Sequence, residues 1–152
     1  MVKIVRNILY IGLALFALTS CSQEDDIEEI FVGRTWYMNG ATINGMKLNS
    51  DISNFYTDAG ENAYFITFSP GTFKGVLSAG ANFSGKWEAD GKHQSITMTL
   101  DNKPTNMTTF DSNIYHILTG ITSYQSGADF LQLKQDAQNI VLFGSSRSMV
   151  YN

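Results

Sequence analysis

Alternation is the feature that most restricts the fold. Tyr64-Phe65-Ile66-Thr67-Phe68 sets Tyr64, Ile66 and Phe68 on one face, and Ser95-Ile96-Thr97-Met98-Thr99-Leu100 sets Ile96, Met98 and Leu100 on one face. Leu131-Gln132-Leu133-Lys134 repeats the pattern over a shorter span. Successive side chains of an extended chain point to opposite faces, so a period of two fits half-buried antiparallel strands. Asn44-Gly45, Pro70-Gly71, Asp90-Gly91 and Gly127 supply the turns between them. The expected fold class is mainly β: an antiparallel β-barrel or half-barrel with one short α-helix packed on it. That helix is read at about residues 112–119, because Phe110, Ile114, Ile117, Leu118 and Ile121 recur at offsets of three and four. Asp111 is its expected N-cap and Gly120 its C′ residue. Residues 49–62 lack a firm period and read as a loop or short helix. Met149-Val150-Tyr151 reads as a final strand.

The N-terminus has a different character. Of the first 20 residues 14 are apolar and none is acidic; Lys3 and Arg6 precede an apolar stretch at 8–18. Eleven residues are too few to cross a bilayer, which takes about 20, but suit the apolar region of a signal peptide. The stretch ends in Leu18-Thr19-Ser20-Cys21, which resembles the bacterial lipobox, and Cys21 is the chain's single cysteine. The resemblance implies cleavage before Cys21, a thioether lipid on its sulfur and acylation of the new amino terminus, giving a membrane anchor. The chain therefore divides into a lipoprotein signal peptide (1–20), an acidic tether (21–29) and a β domain (30–152). The tether carries five acidic residues in the eight from Ser22 to Glu29 and reads as solvated, since clustered like charge opposes compaction. Calcium binding there lacks an oxygen-ligand loop with a turn glycine. The acidic run also resembles a Bacteroidetes surface-export signal, which implies a domain at the cell surface, and Ser22 in place of Asp resembles the proteobacterial pattern that implies sorting to the outer membrane.

With the leader gone, 8 basic residues stand against 14 acidic ones, a net charge of −6. An acidic chain without a basic run points away from nucleic acid. Without a second cysteine the domain has no disulfide of its own, so packing must hold it. His93 and His116 are 23 residues apart, and neither has an acid or thiol at metal-ligand spacing. No nucleophile elbow, phosphate loop or dinucleotide fingerprint is present. Glu88 and Asp90 beside Gly91 read as solvated turn acids rather than a glycosidase pair. The expectation is therefore no enzyme, no cofactor and no metal. Trp36, Trp87 and Asn82 are the candidate ligand-binding residues; their simpler reading is two core aromatics and a turn-bonding amide.

The order of motifs resembles the META/HslJ-like domain found on bacterial lipoproteins. Gly33-Arg34-Thr35-Trp36 is similar to its opening Gly-x-Trp strand, with one extra residue, and Phe73-Lys74-Gly75 to its Phe-x-Gly. Gly80-Ala81-Asn82-Phe83-Ser84-Gly85-Lys86-Trp87 resembles the central signature, with Ala81 where that family commonly has Cys. Leu118 and Ile121-Thr122-Ser123-Tyr124 resemble its helix end and following strand, and Leu131-Gln132-Leu133 with Val141-Leu142-Phe143 its closing hairpin. Met107 matches a second conserved Met, but Thr108-Thr109 follow where a Cys often stands, so chemistry tied to a Cys pair is not implied. A lipocalin-like domain is the other resemblance, through Gly33-x-x-Trp36 and a late Arg. The first implies an accessory module that engages an outer-membrane or envelope protein; the second implies a carrier of a small apolar ligand.

Overall fold

The computed structural model describes residues 24–48, 63–78 and 80–147. Cys21 and the expectations for 49–62 and 149–151 lie outside these residues. Helix α1 is Ile27–Phe31 and α2 is Thr109–Thr119; the strands are β1 (Thr35–Ile43), β2 (Met46–Lys47), β3 (Phe65–Ser69), β4 (Thr72–Val76), β5 (Asn82–Asp90), β6 (Ser95–Leu100), β7 (Ser123–Ser126), β8 (Phe130–Lys134) and β9 (Ile140–Gly144). Each strand pairs antiparallel with its neighbour in the order β2-β1-β3-β4-β5-β6-β7-β8-β9. Strand β9 returns to β1, with Tyr37 opposite Gly144 and Thr42 opposite Ile140, so eight strands close into a barrel and β2 stands outside the closure. Closure removes the exposed sheet edges that an open meander would present.

The alternating faces fill the interior. Tyr64, Ile66, Phe68, Ile96, Met98, Leu131 and Leu133 are all buried in one core with Trp36, Met38, Phe143 and residues of α2. Two strand glycines shape the wall. Gly75 lies opposite Phe83 and Gly85 opposite Phe73, so each glycine is covered by an aromatic ring from the neighbouring strand. A Cβ at Gly85 would run into the Thr99 carbonyl oxygen, which makes this a close strand approach that only glycine permits. At Asn44-Gly45 both residues have positive φ (52° and 80°), the backbone of a tight two-residue hairpin turn.

The barrel is weakest between β6 and β7, which pair only at Ser95–Ser123. Helix α2 follows β6 and packs on β6 and β9, with Ile114, Ile117 and Leu118 turned into the core. Its start corrects the sequence expectation. Thr108, not Asp111, is the N-cap: its hydroxyl accepts from Asp111 N at 3.1 Å, while the Asp111 carboxylate accepts from Thr108 N at 3.0 Å. This reciprocal pair is a capping box with Asp in place of the usual Glu.

Over residues 24–29 the acidic stretch is ordered, with Glu24, Asp26, Glu28 and Glu29 exposed and Asp25 half-buried. Asp26 caps α1 by accepting from Glu29 N at 3.1 Å. Asp25 N donates to the Gly91 carbonyl at 3.3 Å, and its carboxylate accepts from the Tyr124 hydroxyl at 2.9 Å and Gln94 Nε2 at 3.2 Å. Phe31 is fully buried, with ring centroids 5.0 Å from Phe68, 5.0 Å from Trp87 and 5.2 Å from Tyr124. The packed structure thus begins at Asp25 rather than at residue 30, because neutral donors answer its charge and burying Phe31 rewards ordering the turn before it.

Candidate functional site

Antiparallel order assigns the two barrel ends. The 70–71, 91–94 and 127–129 turns lie at one end, where Phe31 plugs the barrel; the 77–81 and 101–108 loops lie at the other. Residues that alternate outward from β3, β4 and β5 near this second end line a groove of about 540 Å³: Phe65, Lys74, Val76, Asn82 and Ser84, with Asn102 from the following loop. Phe65 and Val76 are half-buried and directly opposite each other; exposed Lys74 lies opposite Ser84. The Tyr37 ring lies 6.5 Å from that of Phe65, and the Arg147 guanidinium stacks 4.7 Å over Tyr37 while donating to the Ala63 carbonyl at 3.0 Å. The side chains of Lys74, Asn82, Ser84 and Asn102 make no hydrogen bond or ion pair among the described residues. Two apolar walls and four polar groups with open valences are a common composition for a recognition site.

Beneath the groove the described core side chains leave a small void. Met38, Tyr64, Leu77, Ile114, Leu118 and Phe143 surround a void of about 10 Å³, which Phe65, Val76 and Phe83 also line. That is room for about one water molecule. Tyr64 closes this region with a positive φ of 55° and a hydroxyl that donates to Asp111 Oδ1 at 2.9 Å. Asp111 is fully buried and is the buried charged residue of the described core. Burial raises the Tyr64 phenol well above its ordinary value near 10, and the hydrogen bond and charge of Asp111 raise it further. Tyr124 is raised in the same way, by burial first and then by Asp25.

The three expected ligand residues separate. Trp36 is fully buried, its Nε1 has no hydrogen-bond partner among the described residues, and Arg34 lies 5.7 Å over its ring. Trp87 sits at the plugged end, donating from Nε1 to the Ser69 and Thr72 carbonyls at 2.8 and 3.0 Å. Neither ring reaches the groove, because both occupy inward strand positions. Asn82 alone lines it; its side chain bonds no turn backbone among the described residues. Phe65, Val76 and Lys74 were not singled out by sequence. The outward apolar positions of Phe65 in β3 and Val76 in β4 are the signal that could have found the groove.

The remaining candidates serve turns. His93 Nδ1 lies 2.6 Å from Asp90 Oδ2, and Asp90 Oδ1 accepts from Lys92 N at 2.9 Å. The His93 hydrogen bond is the main cause holding Asp90 below its usual value, and the same bond holds His93 above its own. Glu88 and His116 are exposed. Among the described residues no group of three or more acids, histidines or cysteines can hold a metal ion, and no helix is long and apolar enough to cross a membrane.

Fold and site define a closed β-barrel with a hydrophobic core and, among the described residues, an outer groove. Residues 22–144 match the family described as "Domain of unknown function (DUF4847)", and the chain belongs to it. The META/HslJ resemblance gains no support from this match. A crystal structure of a DUF4847 family protein from Bacteroides vulgatus ATCC 8482 superposes with a TM-score of 0.63 at 20% identity, covering 81% of this chain and 99% of that one. It shares the fold. No curated protein matches the chain.

Proposed function

We propose that the chain is a lipid-anchored, non-enzymatic binding module of the cell envelope, held at the outer membrane by Cys21 and engaging an envelope protein through the β3–β5 groove. The observation that carries this reading is the contrast between a void of about 10 Å³ inside the barrel and a groove of about 540 Å³ outside it. A partner that seats an apolar side chain against Phe65 and Val76, with a carboxylate or carbonyl beside it, satisfies Lys74, Asn82 and Ser84 at once. Such a contact joins an apolar centre to a polar rim, as interfaces commonly do. One feature favours the carrier reading instead: Phe65, Val76 and Phe83 line both groove and void, so a swing of Phe83 would join them.

Two measurements test these readings. A fatty-acid probe should label the chain in cells and fail to label Cys21→Ser; equal labelling of the variant would refute the anchor. Native mass spectrometry of gently purified, lipidated protein should give the same mass as the denatured chain. A discrete added mass that vanishes on denaturation would favour the carrier.

A further inference from the structure

We infer that the docked Asp25 orients the domain on the membrane, with the end bearing α1 and the 91–94 turn facing the bilayer headgroups and the groove held toward the aqueous side. This rests on lipidation of Cys21. Chain length supplies the first step. Were the tether solvated through Glu29, the leash from Cys21 would span roughly 30 Å, at up to about 3.6 Å per residue, and the domain could turn freely. Asp25 is instead fixed by the Gly91 carbonyl, the Tyr124 hydroxyl and Gln94 Nε2. Four residues remain, about 14 Å at full extension.

The fixation is local and tight. A Cβ at Gly91 would meet the Asp25 backbone, so glycine is required for the two segments to lie this close. Behind Asp25, the capped α1 ends in Phe31, which is locked among Phe68, Trp87 and Tyr124. The leash therefore cannot lengthen without breaking the latch. Strand β5 then runs from Asp90 beside the latch to Asn82 in the groove. At about 3.3 Å per residue that is roughly 25 Å, or about 20 Å along the barrel axis at a strand tilt near 40°. Carboxylates of Glu24, Asp26, Glu28 and Glu29 stand at the membrane-facing end. They oppose adhesion to anionic lipid, so the orientation comes from the short leash and not from attraction.

The test uses lipidated full chain purified from cells and floated on phosphatidylcholine vesicles doped with headgroup-nitroxide lipid. With the Cys21 sulfur tied in its thioether, a dye is placed on the new thiol of Lys92→Cys or Lys103→Cys, both exposed positions at opposite ends of the barrel. The orientation predicts quenching several-fold stronger at position 92 than at 103, unchanged in high salt. In an Asp25→Ala background that keeps its circular dichroism, the ratio should fall toward one. Equal quenching at the two positions, or stronger quenching at 103, overturns the orientation; an unchanged ratio in Asp25→Ala overturns the latch. Protein that fails to float overturns the anchor and this inference together, so the two failures are told apart.

Discussion

Tyr64→Phe isolates the bond that holds α2 to the barrel. The substitution removes one oxygen and leaves the ring, including its edge contact with Phe110 at 6.0 Å. Among the described residues the hydrogen bond lost is the 2.9 Å donation to Asp111 Oδ1, made to a carboxylate that is fully buried. A hydrogen bond to a charged group is worth about 1.5–3 kcal/mol. Thr108 N still donates to the other oxygen, so Asp111 keeps one partner and the loss should lie near 2 kcal/mol. For a domain of this size, that lowers the melting temperature by roughly 6–10 °C. Thermal melts followed by near-ultraviolet circular dichroism at pH 7 read it directly.

The alkaline side supplies a sign. The folded Tyr64 phenol is raised above 10, so its stabilisation is complete below pH 10. Above pH 10 the unfolded chain ionises first, and wild-type stability falls by up to about 1.4 kcal/mol per pH unit from this residue. Tyr64→Phe lacks that term, so the gap between variant and wild type should narrow above pH 10. A variant that melts within a degree of wild type at pH 7, or a gap that stays constant to pH 11, would refute the role assigned to this bond.

Other consequences are simpler. Gly85→Ala drives a Cβ into the Thr99 carbonyl and the Phe73 ring, and should destabilise by at least about 1–3 kcal/mol or abolish folding, read by urea denaturation. Thr108→Ala removes the α2 cap and should cost about 1 kcal/mol, with hydrogen exchange accelerated first in the opening turn of the helix. In wild type, His93 should titrate above its ordinary 6.5 by NMR, and Asp90→Asn should lower it. Its pairing adds stability below pH 6.5 that fades as pH rises through the elevated value. Both groups are exposed, so the effect on melting should be slight.

Local signals carried much of this fold. The alternation at Tyr64–Phe68 and Ser95–Leu100 named the inward residues, since a period of two leaves little choice once one face is buried. The Asn44-Gly45 and Pro70-Gly71 turns lie between strands as read. Closure was not legible at residue level, because the β1–β9 pairing joins positions about a hundred residues apart and depends on summed strand twist and tilt. Helix α1 was missed because the acidic run was judged by net charge alone. Asp26 with Glu29 three residues on, just before Ile30-Phe31-Val32, is a capping signature that marked it. The same rule applied to Thr108 and Asp111 would have moved the α2 cap to its true place. The groove was harder still. The tryptophans draw attention as large aromatics, yet their inward register consigns them to the core, while the half-buried Phe65 and Val76 look ordinary until β3 and β4 are paired.

Photo-crosslinking in cells tests the outer groove most directly, with a crosslinking amino acid at Asn82 and, as control, at Gln132 on the outer face of β8 across the barrel. A groove that engages an envelope protein gives a discrete adduct from position 82, absent from 132 and lost on Phe65→Glu. No adduct from position 82 above the level at 132 would contradict it.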